Sequence, residues 1–168
     1  MTVSIRAYRP TDHRACRALW AELIEMRRDL YDEPNGGSAD PGVGFEDYLT
    51  RLDLSGMWVA EHPDDGVVGF IGLLILPGRA GEVYPVVVTQ RHRSKGIGTA
   101  LLEHVAEQAR RRSLRRLQVM PDSRNTAAIK CLHSAGYDTL ASVRLTLDLT
   151  GTSKEAEEMD LHGLRFRY

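Results

Sequence analysis

The sequence predicts a mixed α/β fold, with helices covering both faces of a central sheet. Three observations lead there. Segments with apolar residues at helical spacing interleave with short apolar runs of strand character along the chain. Residues 67–76 are apolar nearly throughout, as expected of a strand covered on both faces. Hairpin-type turns also occur, so the sheet should be mixed and mostly antiparallel, with about seven strands in a three-layer α/β/α arrangement.

Taken in order, residues 3–9 read as an opening strand stopped by Pro10. Thr11 or Asp12 is placed to cap a helix whose apolar face is Cys16, Leu19, Trp20, Leu23 and Ile24. Residues 29–42 are rich in Gly, Pro, Asn and Asp and predict a loop, followed by a short helix over 45–52. Strands at 57–61 and 67–76 flank the turn Pro63-Asp64-Asp65-Gly66. A strand over 82–89 contains Pro85, which cannot donate to a ladder, so a bulge is expected there. A long helix follows over about 96–112, its arginines 110–112 opposing the negative end of the helix dipole. Then come a strand over 116–120, a helix from Asp122 to about Ala135 stopped by Gly136, and a strictly alternating stretch, 140–149, that reads as a half-buried antiparallel strand. Residues 151–160 form an acidic connection, and 161–168 a final strand.

Composition bounds the function. A length of 168 residues suits one domain spanning 1–168. The net charge of −1 gives no electrostatic footprint for nucleic acid or a membrane surface. Two cysteines cannot build a disulfide framework and suit a reducing, cytoplasmic setting. The N-terminus lacks an apolar signal core. The six histidines show no His-x-x-x-His spacing, so no metal is expected.

The most informative stretch runs from Val86 to Leu102. A β-branched run, Val86, Val87 and Val88, leads through a basic loop into an amphipathic helix. A helix N-terminus reached this way leaves backbone N–H groups free and carries partial positive charge, so it suits an anion. Gly96 and Gly98 allow close approach to the main chain, and Arg91, Arg93 and Lys95 add full charges. The pattern is neither a dinucleotide nor a nucleoside-triphosphate fingerprint: Leu101 stands where the former needs its last Gly, and no Gly-Lys-Ser/Thr is present.

Arg93-Ser94-Lys95-Gly96-Ile97-Gly98 resembles the acyl-CoA pyrophosphate loop of the GNAT superfamily of N-acetyltransferases, whose pattern is Gln/Arg-x-x-Gly-x-Gly/Ala. Residues 120–137 resemble that family's second signature: a strand end, Asn125, Ala128-Ile129, then Gly136-Tyr137 at the helix exit. The resemblance implies the family fold and acetyl-CoA as co-substrate. It implies that the main chain of Val86, Val87 and Val88 pairs with the pantetheine arm. The amides of Ser94, Lys95, Gly96, Ile97, Gly98 and Thr99 would cradle the pyrophosphate, with Arg93 at its edge. Asn125 would bind the cofactor arm through its side chain, although it also reads as a helix N-cap. Where many members carry a Tyr that protonates the leaving thiolate, this chain has Leu132, which has no proton to give. Water could protonate a thiolate instead.

The reaction implied is direct acetyl transfer to a primary amine. Glu82 is the first candidate for general base, with Tyr84 next on the same strand face. The acid-rich segment 29–47, with Tyr31, Asp32 and Glu33 as candidate substrate-binding residues, suggests a small cationic amine. A protein N-terminus or lysine is the alternative acceptor, and an acyl-CoA sensor with little turnover the alternative of another class. A homodimer is the open oligomeric option.

Overall fold

The computed structural model describes residues 3–31, 38–147, 149 and 157–167. Its main sheet has five strands in sequence order: β1 (Ser4–Ala7), β2 (Met57–His62), β3 (Gly66–Leu76), β4 (Ala80–Val88) and β5 (Arg116–Gln118). The first four pair antiparallel, and β4 and β5 run parallel. Helices α1 (His13–Leu30) and α2 (Gly44–Arg51) cover one face, and α3 (Ile97–Arg111) and α4 (Thr126–Ser134) the other.

Each face has its own apolar core. On the α3/α4 side, Ile71, Leu73 and Val83 of the sheet meet Ile97, Leu101, Leu102, Val105 and Leu132. On the α1/α2 side, Cys16, Leu19 and Trp20 of the predicted helix face meet Phe45, Tyr48, Met57, Val59, Phe70 and Val87. Every one of these side chains is buried, which is the amphipathic helix pattern realised against a sheet apolar on both faces. Burial pushes the Cys16 thiol up to about 12, so it behaves as a small core residue.

Three expectations need correction. The main sheet holds five strands, not about seven; β6 (Glu158–Leu161) and β7 (Leu164–Arg167) form a separate two-stranded hairpin. The alternating stretch 140–149 makes no strand among its described residues, and Leu145 and Leu147 are 65% and 82% exposed. Alternation states which side chains share a face, but a strand also needs a neighbour to pair with. Among the described residues the sheet ends at β5, which is only three residues long. Finally, Asp12 stands at the N-cap position of α1 without capping it. Its carboxylate instead accepts two hydrogen bonds from Arg6, at 2.7 and 2.9 Å, and one from the Arg9 N–H. A bidentate guanidinium on a buried carboxylate outcompetes a cap.

The expected break near Pro85 is present. Gly81, Glu82 and Val83 pair with Ile75, Leu74 and Leu73, whereas Val86, Val87 and Val88 pair with Ile71, Phe70 and Gly69. Tyr84 and Pro85 therefore both stand opposite Gly72. The Tyr84 carbonyl, displaced from the ladder, accepts a hydrogen bond from the Tyr48 hydroxyl at 2.9 Å. Gly72 is required by that close approach: a Cβ there would lie 1.8 Å from the Tyr48 oxygen and 2.5 Å from the Tyr84 oxygen.

Candidate functional site

The bulge resets the faces of β4. Tyr84 packs into the α1/α2 core, Val83 and Val86 face α3/α4, and Val87 returns to the α1/α2 core. It also decides where main-chain polar groups point. The Thr89 N–H donates to the Val68 carbonyl at 2.9 Å, across the β3 side. Main-chain groups alternate sides along a strand, so Val87 turns toward β3 and Val86 and Val88 toward β5. Pairing with β5 ends at Glu82 and Gln118, however. Beyond that point no strand among the described residues pairs with the β5-facing side of Val86 and Val88, which leaves an opening there, and the Val88 carbonyl accepts from Arg93 Nε at 3.0 Å. An extended ligand entering there finds the groups a sixth strand would use. Of the three valines expected to pair with an arm, Val87 is the one the strand turns away.

The loop leaving β4 makes a short 3-10 turn, Gln90–His92, then carries Arg93, Ser94, Lys95 and Gly96 to α3. Ser94 and Gly96 both have positive φ, at 59° and 81°. Left-handed residues next to a helix start turn successive N–H groups toward one point, which is the geometry of an anion nest. The Ala100 N–H donates to the Gly96 carbonyl, at 3.0 Å. The N–H groups of Ile97, Gly98 and Thr99 therefore precede the first i to i−4 bond and carry the positive end of the helix dipole. A Cβ at Gly98 would meet nothing closer than Cys131 Sγ, at 3.6 Å. The fold therefore leaves that space open, and the bare backbone there suits a phosphate group approaching closely. Arg93 and Lys95 are exposed beside it.

α4 lies alongside, with Thr99 Oγ1 and Cys131 Sγ 3.9 Å apart. Its N-cap is Asn125, whose Oδ1 accepts from the Ala128 N–H at 3.0 Å. The side-chain oxygen thus serves as a cap, and the amide NH2 is the group with which Asn125 would reach a ligand. The helix begins at Thr126, later than expected, because residues 122–125 form a turn closed by the Asn125 N–H on the Asp122 carbonyl. Leu132 is 7% exposed and packs with Ile97 and Leu101. The Tyr137 hydroxyl is buried without a hydrogen-bond partner among the described residues, and burial raises its pKa.

At the mouth of the opening stands Glu82, half-buried, 3.4 Å from Gln118 Nε2. Tyr84 is further along the same face, edge-on to Trp20 and Tyr48. Tyr31 ends α1; the Arg124 guanidinium lies 5.1 Å from its ring centre, and Asp122 binds Arg27 at 2.9 Å. These contacts tie the end of α1 to the segment after β5. Asp32 and Glu33 lie outside the described residues. Of the other acids in 29–47, Asp40 and Glu46 both pair with Arg17. The cavity beside them, about 340 Å³, is lined by Trp20, Tyr31, Arg27, Arg28 and Asp40 among others. Sequence reasoning missed Arg27, Asp122 and Tyr48. Their roles depend on partners 36 or more positions away, and no local pattern announces them.

The profile of the Acetyltransferase (GNAT) family matches residues 17–137. No curated protein sequence matches significantly. Among solved structures, an acetyltransferase of the GNAT family from Staphylococcus aureus Mu50 superposes with a TM-score of 0.65 at 18% identity, over 88% of this chain and 94% of that one. A ribosomal-protein-alanine N-acetyltransferase from Brucella melitensis gives 0.62 at 24% identity, over 79% and 83%. The Salmonella typhimurium protein yncA, solved with acetyl-CoA, gives 0.60 at 20% identity, over 81% and 79%.

Proposed function

The chain belongs to the acetyltransferase (GNAT) family, and from that premise we propose that it transfers the acetyl group of acetyl-CoA to a primary amine. The observation that carries this reading is the joint placement of the left-handed Ser94 and Gly96 at the start of α3 with the β5-facing main chain of Val86 and Val88, which no strand pairs among the described residues. One recognises an anion and the other an extended polar arm, and acyl-CoA has both in that order. The acetyl-CoA bound by the structurally similar Salmonella protein supports the same ligand.

Acetyl-CoA supplies a thioester carbonyl activated toward nucleophiles. The chain's own residues then hold and move protons around it. An amine can attack only with a free lone pair, so its ammonium proton must leave first. Glu82, at the mouth of the opening, is the group we assign as general base, acting directly or through one water. The amine nitrogen bonds to the carbonyl carbon, the carbon–sulfur bond breaks with its electrons on sulfur, and the thiolate leaves while the nitrogen's second proton passes to water or to the departing sulfur. The Val88 N–H, turned to the open side, is suited to polarise the carbonyl oxygen. Leu132 offers no acid, and a thiolate near neutral pH leaves without one.

For the acceptor we favour a small cationic amine. Exposed Asp29 and Asp47 support it, while the Arg17 pairs reduce the pull of Asp40 and Glu46. The test is CoA release with acetyl-CoA against a panel of polyamines, aminoglycoside-like amines and peptides with free N-termini. Turnover confined to peptides would overturn the cationic-amine reading. Tight acetyl-CoA binding with background turnover across the panel would overturn the enzyme in favour of a sensor.

A further inference from the structure

We propose that the acyl-CoA loop is held in its binding shape by two carboxylates outside it, Glu22 of α1 and Asp65 of the β2–β3 turn, the second acting through His92. The inference rests on the cofactor reading above and concerns what fixes that site.

The two contacts bracket the 3-10 turn that begins the loop. Glu22 accepts from Thr89 Oγ1 at 2.9 Å and from the Gln90 N–H at 3.1 Å. Asp65 Oδ2 lies 2.8 Å from His92 Nε2, and His92 is 4% exposed. Within the turn the His92 N–H bonds the Thr89 carbonyl and the Arg93 N–H the Gln90 carbonyl. Both ends of this turn are therefore fixed by side chains from other elements, and Ser94 and Gly96 follow directly. The loop contributes no large apolar anchor before Ile97; its residues 90, 91 and 93–96 are exposed. Without outside contacts, ordering two left-handed residues would cost conformational entropy at each binding event.

Asp65 is itself aimed. The turn 63–66 folds over His62, whose Nδ1 accepts from the N–H groups of Asp64 and Asp65 at 3.2 and 3.3 Å. His62 is 4% exposed, and its ring lies 4.9 Å from that of His92. His62, Asp65 and His92 bring potential ligand atoms within 4.8 Å of one another, the spacing a metal ion would need. The His62 Nδ1 lone pair is already directed at two amide N–H groups, however. That makes the trio a hydrogen-bonded chain from turn to loop, with the His92 ring donating through Nε2. The same hydrogen bond holds the Asp65 carboxyl below the usual carboxylate range.

The sign of the expected effect separates positioning from plain electrostatics. Removing a carboxylate near a pyrophosphate site lowers repulsion and, by charge alone, should tighten anion binding. If Asp65 and Glu22 position the loop, their loss weakens it instead. We expect Asp65→Ala, Glu22→Ala and His92→Phe each to raise the KM for acetyl-CoA by about tenfold or more, the scale of losing one or two hydrogen bonds to a charged group. The kcat at saturating acetyl-CoA and the KM for the amine should stay near those of the unaltered protein. His92→Gln, which keeps a donor at the reach of Nε2, should restore most of the lost affinity. Calorimetry with CoA, alongside thermal unfolding, keeps the test independent of turnover and of stability.

If the unaltered protein binds no CoA, the cofactor reading itself fails. If it binds CoA and the variants bind as tightly or more tightly, the positioning role is overturned. A lower kcat with raised KM for both substrates, tracking a lower Tm, overturns it in favour of a general structural role. Stoichiometric Zn2+ binding that requires His62 and His92 and raises CoA affinity overturns it in favour of a metal site.

Discussion

The two ends of the β4–β5 opening are built in different ways. The end toward α3 is made of backbone: two left-handed residues, a helix start and the main chain of two valines that no strand pairs on that side among the described residues. The end toward α1 and α2 is made of side chains brought from far apart: Glu82, the ring cluster of Tyr84, Trp20 and Tyr48, and Arg27 paired with Asp122 beside Tyr31. A backbone site is specified by a short contiguous stretch, because φ/ψ preferences and glycine placement are local properties. A side-chain site depends on which segments the fold juxtaposes. The chemistry at the backbone end should therefore survive most side-chain changes and fail with backbone ones, and the other end should behave in reverse.

The largest effect should come from blocking the backbone end. Gly98→Leu should weaken CoA binding by about 100-fold or more by calorimetry, because its side chain would occupy the approach to several amides at once. Little loss of stability should accompany it, since only Cys131 Sγ stands near. Unchanged affinity would show that the loop does not hold the pyrophosphate. At the other end, Glu82→Gln should lower kcat by about 100-fold and remove the base's limb from the pH–rate profile, with CoA affinity kept. An unaltered profile takes Glu82 out of the mechanism.

Tyr48→Phe tests how the ends are joined. It leaves the bulged Tyr84 carbonyl without its buried donor, and should cost about 1–3 kcal/mol in denaturant unfolding. A shift well below that range would mean the bulge relaxes to find another partner. The smallest effect should lie far from the opening. Hydrogen bonds from Arg6 hold the Asp12 carboxyl below its unfolded value. A depressed carboxylate pKa contributes stability above the unfolded pKa, about 3.9, that is lost as pH falls through the folded one. Acid unfolding below about pH 4 should therefore be steeper in the unaltered protein than in Asp12→Asn, with equal catalysis at neutral pH.

Much of the architecture could be read from periodicity. The apolar face of α1, the hairpin around 63–66, the Pro85 bulge and the stop at Gly136 all follow from patterns a few residues long. The tail shows the limit of the same reasoning: 140–149 alternates as cleanly as any strand, yet its apolar side chains stand exposed and no strand pairs with it among the described residues. Asp12 failed as a cap because Arg6, brought near across a turn, is a stronger partner than a helix N–H. The absence of His-x-x-x-His spacing could not reveal that His62 and His92, thirty positions apart, meet across the sheet end.

The sequence by itself predicted an anion site at a helix start after a bulged strand, and the resemblance of its two motifs to the GNAT family made acyl-CoA the ligand to expect. Those features are dihedral preferences and unpaired amides within one stretch of chain. Only the tertiary structure decided that Val86 and Val88, rather than Val87, turn to the opening, because strand register fixes which way main-chain groups point. It alone decided that Glu22 and Asp65 reach the loop from outside, because hydrogen bonds between distant side chains exist only once packing has fixed both ends.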